Sequence, residues 1–221
     1  MMLANLVVQE TKARIEMTPQ GTNLTFAYPY YGPNTYMNNG LLIRQAGLFT
    51  PTLTEITSLV HAAFCSKDRY SLAIQWLMKN NWIWGFTGIH HVPKKGTYIE
   101  DRPFFKRDAP SMEEGELVRR LENRDPAVRF VPLGYQTGDI SSRELAKSAY
   151  ICALVGEEGA EQLAEIANKH ECKSHLQNFN MYTSPITRMS TLYSCEGGFG
   201  LIVGGNYRGL EKGGYAFGIK S

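Results

Sequence analysis

The stretch WIWGFTGIHHVPKKGTYIEDRP (residues 82–103) limits the fold more than any other part of the chain. Successive strand residues point to opposite faces, so Trp82, Trp84, Phe86 and His90 share one face while Ile83, Ile89 and Ile99 share the other. Apolar side chains on both faces predict a strand covered from both sides near its start, and a mainly structural role for its hairpin. A three-residue turn at Lys94, Lys95 and Gly96, with Gly96 left-handed, places His90 opposite Glu100 and His91 opposite Ile99.

The segments before this hairpin alternate between strand and helix signals. Residues 12–17 and 22–28 carry apolar positions at every second residue (Ala13, Ile15, Met17; Leu24, Phe26, Tyr28), and TPQG between them supplies a turn. YPYYGPNTY (residues 28–36) is broken by two prolines and is expected to be irregular until Asn34 caps a helix that Gly47 ends. Thr52 and Glu55 form a capping box, in which each side chain satisfies the other's free backbone N–H, so a helix starts there. A second helix is expected over residues 67–79.

After Pro103, FFKRDAP (residues 104–110) reads as a connector, either a lobe boundary near 103–110 or one long loop. Ser111 with Glu114 suggests another capping box, and Glu116 with Arg120 a surface ion pair. A strand is expected over 127–132. Ser141 with Glu144 opens helical sequence through 155, although residues 150–155 also suit a buried strand. Residues 157–168 read as a clearer helix. From Met189 onward, apolar runs separated by glycines fit an antiparallel meander. Antiparallel hairpins at both ends and in the middle, around a helical segment, predict an α+β fold in a single domain over residues 1–221, and leave open whether the terminal hairpins share a sheet.

At 221 residues the chain can bury about 70% of its unfolded surface without disulfide staples. A net charge of +2 is too small to argue for a non-specific polyanion binder and leaves the partner open. Cys65, Cys152, Cys172 and Cys195 form no C-x-x-C pair, so reduced thiols are expected. The start has no basic leader, and no run approaches the ~20 apolar residues of a membrane span. These features predict a soluble, cytoplasmic protein that needs no membrane.

His90 and Glu100 on one face can form an acid–base pair, because a carboxylate fixes the imidazole tautomer and raises its basicity. Tyr98 or Arg102 would then assist a hydrolase-type reaction. An ordinary cross-strand pair is the simpler reading. Adjacent strand histidines cannot chelate one metal, and His61 and Cys65 with HECKSH (residues 170–175) match no zinc-finger spacing, so no metal or other cofactor is assigned. GFGLIVG (residues 198–204) is followed by no helix that could seat a phosphate. Cations at Lys94, Lys95, Arg102, Lys106 and Arg107 lie near Tyr98, Phe104 and Phe105. Glu100, Asp101 and Asp108 interrupt them, which favours a solvated loop over a nucleic-acid patch.

Tyr28, Tyr30, Tyr31 and Tyr36 give the most distinctive local composition. Tyrosines on a proline-restricted loop offer rigid contact area with hydroxyl handles, which suits a protein or small-molecule ligand. The alternative is an aromatic loop packed over the core. The preferred reading is a binding module using this loop and the tryptophan hairpin. GPNTY, PTLTEITSLVHAA and NNWIWGFTG, with the Gly-Glu-Glu-Gly-Ala segment and the Tyr-Ala-Phe-Gly ending, resemble small uncharacterised proteins of archaeal genomes. That resemblance spans most of the chain, implies one full-length unit and supplies no catalytic residue.

Overall fold

The computed structural model describes residues 6–11, 14–106, 109–170, 173–195, 200–207 and 209–220. Lys12, Ala13, Arg107, Asp108, Cys172 and Gly198, which entered the sequence expectations, lie outside these residues. Strands β1 (Leu6–Thr11), β2 (Arg14–Pro19) and β3 (Thr25–Asn34) form an antiparallel meander. The expected irregular stretch is instead the second half of β3. Tertiary pairing overrides the prolines there: β3 runs antiparallel to the last strand, with register shifts that absorb the breaks. Thr35, not Asn34, caps α1 (Tyr36–Gln45), its side chain accepting from the Asn38 N–H. Asn34 supports the turn by accepting from the Thr35 N–H at 3.0 Å.

The capping box at Thr52 and Glu55 opens α2 (Leu53–Phe64) as expected. Asp68 caps α3 (Arg69–Asn80) by accepting from two backbone N–H groups. The chain then enters β4 (Ile83–Val92), which is buried at every position. Ile83 and Ile89 pack into the main core with α2 and α3, while Trp84 and Phe86 pack into a second cluster with Tyr36, Ile43 and Leu48 of the α1 region. Two-faced burial, expected near the strand's start, runs its whole length.

β5 (Gly96–Asp101) returns from a turn one residue earlier than expected, which moves each cross-strand partner by two: His90 faces Tyr98, His91 faces Thr97, and Gly88 faces Glu100. Lys94 has a φ of 65° within the turn, and Gly96, with a φ of 148°, keeps the positive value expected of it while opening the strand. Gly96 is required by close approach, because a Cβ there would lie 2.2 Å from the Val131 carbonyl oxygen. The connector carries two short strands, β6 (Phe105–Lys106) and β7 (Ala109–Pro110).

Helix α4 (Glu114–Glu122) starts without a side-chain cap, so the capping box expected at Ser111 is absent. The helix starts after Glu113, which moves Ser111 out of the capping position. Glu116 pairs with Arg119 and not Arg120, whose guanidinium is drawn instead to Glu100 and Asp125. Next come β8 (Val128–Pro132), β9 (Gly138–Ile140), α5 (Ser142–Leu145) with its expected capping box, and α6 (Ala149–Lys169). The helix expected through residue 155 therefore breaks after α5. Residues 150–155 are helical, and Gly156 kinks α6 at φ 79°.

β10 (Ser174–Leu176), β11 (Ile186–Cys195), β12 (Gly200–Tyr207) and β13 (Gly214–Lys220) complete the α+β fold. The large sheet runs β1-β2-β3-β13-β4-β11-β12-β10-β9, with β5 added on β4 and β8 on β5. The N-terminal meander and the C-terminal strands thus share one sheet, through β13 between β3 and β4.

Candidate functional site

A break in the ladder between β4 and β11 builds the site. Register shifts between Met189, opposite Gly88, and Thr191, opposite Trp84, so the β4 residues between lose their regular partners. Phe86, inside this break, is held from the opposite edge of β4, where its bond to Arg102 extends the pairing with β5 by one residue. The Phe86 N–H donates to the Pro51 carbonyl at 2.7 Å, and the Phe86 carbonyl accepts from the Arg102 N–H at 2.7 Å. Arg102 has a φ of 53°, which turns the chain sharply into residues 103–105.

These turns bring four rings together. Tyr36, the first residue of α1, is 2% exposed and stacks on Phe105 with centroids 4.7 Å apart and planes 19° from parallel. Its ring also meets Phe86 at 4.4 Å and the edge of Trp84 at 5.7 Å. Beside them lies a cavity of about 400 Å³, bounded by Tyr36, Gly40 and Arg44 of α1, Phe86 of β4, and Arg102 and Phe105 of the connector. Gly40 keeps it open, since a Cβ there would lie 2.9 Å from the Phe86 ring.

The two arginines differ in availability. Arg102 donates to the Thr50 carbonyl at 2.7 Å and to both carboxylate oxygens of Glu55 at 3.0 and 2.8 Å, so its charge is largely neutralised locally. Arg44 lies exposed in the last turn of α1 and has no ion pair among the described residues. Burial pushes the Tyr36 hydroxyl well above its ordinary pKa, with Arg44 and Arg102 pulling the other way. Tyr36 therefore stays a neutral hydroxyl, and Arg44 provides the accessible positive charge.

The other sequence candidates lie elsewhere. Tyr28 and Tyr30 are half-buried in an edge-to-face cluster with Tyr70 and Tyr215, and Tyr31 is half-buried near the α1 cluster. The four tyrosines do not form one patch, and only Tyr36 lines the cavity. His90 and Glu100 share a face but do not pair. The shifted turn puts Tyr98 opposite His90, whose Nδ1 lies 2.8 Å from the Thr187 hydroxyl, while Glu100 is bound by Arg120. Burial holds the His90 imidazole below its ordinary pKa and pushes the Glu100 carboxyl up against the pull of Arg120.

His61, His170 and His175 are bonded to Glu165, Ser194 and Asp139 respectively. No group of three or more described His, Cys, Asp or Glu residues is arranged to hold a metal ion. Nor is any described helix long and apolar enough to cross a membrane. Sequence reading missed Gly40 and Arg44. A glycine inside a helix costs about 1 kcal/mol relative to alanine, and that cost was the available signal for close approach.

No family model and no curated protein matches this chain. Its structure is similar to a solved chain described as "Accommodation of massive sequence variation in Nanoarchaeota by the C-type lectin fold", with a TM-score of 0.55 and 16% identity. The similarity covers 90% of this chain and 98% of the other, and it concerns the fold alone.

Proposed function

We propose that this protein is a binding module for a small planar group carrying negative charge, held between α1 and residues 102–105. The observation that carries this reading is the cavity of about 400 Å³ with Tyr36, Phe86 and Phe105 around it and Arg44 at its edge. Volumes of roughly 300 to 1,000 Å³ suit small ligands, and a few placed polar groups on aromatic walls fix their orientation. A flat ring gains from the aromatic faces, and a carboxylate gains a charge-assisted hydrogen bond from a guanidinium. The similar C-type lectin-fold chain, described as accommodating massive sequence variation, supports reading this fold as a frame for binding residues. A cytoplasmic setting remains part of the proposal, supported by free thiols at Cys65 and Cys152.

The test is a titration with indole-2-carboxylate and its neutral amide, followed by backbone NMR. Saturable shifts at Gly40 and Arg44 for the carboxylate, much weaker for the amide, would support the reading. Absence of shifts there with either compound and across a panel of aromatic carboxylates would overturn it. The hydrolase reading is not favoured, because Thr187 and Arg120 occupy the groups that a His90–Glu100 pair would need.

A further inference from the structure

Helices α2 and α6 meet along a ladder of side chains in constant register. Ser58 donates to Gln162 at 3.2 Å, His61 lies 2.8 Å from Glu165, and Cys65 meets Lys169, each pair 104 residues apart. Steps of three and then four residues on both helices keep all three rungs on facing surfaces. The last rung differs from the others. Lys169 Nζ stands 2.7 Å from Cys65 Sγ, whereas even N–H···O bonds, with a smaller acceptor, average about 2.9 Å. That separation suits two single bonds through one intervening atom better than an N–H···S hydrogen bond.

We propose that Cys65 and Lys169 form a redox-controlled covalent cross-link, with one oxygen atom joining the lysine nitrogen to the cysteine sulfur. Hydrogen peroxide is the oxidant. One thiol, one neutral amine and two peroxides give the S–O–N bridge and three waters. The S–H bond, one N–H bond and both O–O bonds break, while an S–O and an N–O bond form. Sulfur and nitrogen each lose two electrons, and each peroxide gains two. Cys65 is half-buried and Lys169 exposed, so peroxide reaches the pair from solvent. His61 Nε2, 3.8 Å from the sulfur, and Glu165 border the same position. Cys65 is held as the C-cap of α2 by its own backbone N–H, which donates to the His61 carbonyl at 3.1 Å. Oxidation of a thiolate to the sulfenic level is an ordinary first step on the cysteine oxidation ladder. The adjacent amine then determines the product.

The full-length chain, reduced and then exposed to hydrogen peroxide, is measured by accurate intact mass and by peptide mapping. The expected product gains one oxygen and loses two hydrogens, joins the peptides of Cys65 and Lys169, and reverts with dithiothreitol. Lys169→Arg keeps the positive charge but cannot form the bridge, so the joined peptides disappear. Cys152, half-buried and touching only the Ala146 carbonyl among described polar groups, is the internal control and stays a thiol. The proposal is overturned if Cys65 remains open to alkylation, if it is found only as sulfinic or sulfonic acid, or if it forms a disulfide with Cys172. A bridge between α2 and α6 also predicts a higher thermal midpoint for the oxidised wild-type chain than for its reduced form, a difference that Lys169→Arg abolishes.

Discussion

Tyr36 and Phe105 stack face to face at 4.7 Å although one begins a helix and the other lies in a connector on the far side of β4 and β5 in sequence. The contact closes one wall of the cavity, so the connector takes part in the site. Phe105→Ala is expected to lose the roughly 0.5 to 1.5 kcal/mol specific to an aromatic pair, plus the buried area of the ring. Urea denaturation would measure the stability loss, and the carboxylate titration should show weaker binding.

Arg44 tests the electrostatic half of the site. Arg44→Gln removes an exposed charge without an ion pair among the described residues, so stability should change by no more than about 0.5 kcal/mol. Loss of a hydrogen bond to a charged group should cost roughly 1.5 to 3 kcal/mol of binding, about tenfold or more in affinity. Calorimetric titration with indole-2-carboxylate reads this directly, and unchanged affinity would exclude Arg44 from the site.

His90 and His91 predict a pH dependence of stability. Burial holds both imidazoles below the ordinary value near 6.5. The unfolded chain therefore binds protons that the folded chain resists. Their contribution is fully present above pH ~6.5 and is lost as pH falls through the lower folded-state values. Urea midpoints should drop between pH 7.5 and pH 5.5, and the drop should shrink in His90→Gln. A variant with the same pH slope as wild type would show that this imidazole is not a source.

The two possible capping sites should separate cleanly. Thr52→Ala removes a side-chain oxygen that accepts from the Glu55 N–H and is expected to cost about 1 kcal/mol. Ser111→Ala should be nearly neutral, because α4 starts later without a side-chain cap. Thermal melts of both variants would decide it, and equal losses would contradict the structure.

Gly96→Ala should destabilise the sheet by about 1 to 3 kcal/mol, because its Cβ would meet the Val131 carbonyl at 2.2 Å. Hydrogen exchange localised to β5 and β8 would show where the strain falls.

Signals carried within a few residues were legible in the chain itself. The boxes at Thr52–Glu55 and Ser141–Glu144 are three-residue spacings whose hydrogen bonds form inside one helical turn. The two-faced apolar pattern of β4 follows from side-chain alternation, and the α+β class follows from these local elements. The pairing of β4 with β5, two residues away from the local expectation, and the strand at residues 28–34 were not legible in this way, since each depends on a neighbour distant in sequence: β8 against Gly96, and β13 against β3. Tertiary structure alone joined Tyr36, Gly40, Arg44, Phe86 and Phe105 around one cavity and placed Lys169 on Cys65. Local hydrogen bonding and alternation have a range of a few residues, whereas the meeting of distant side chains depends on strand order, the break in the β4–β11 ladder and the register of α2 against α6.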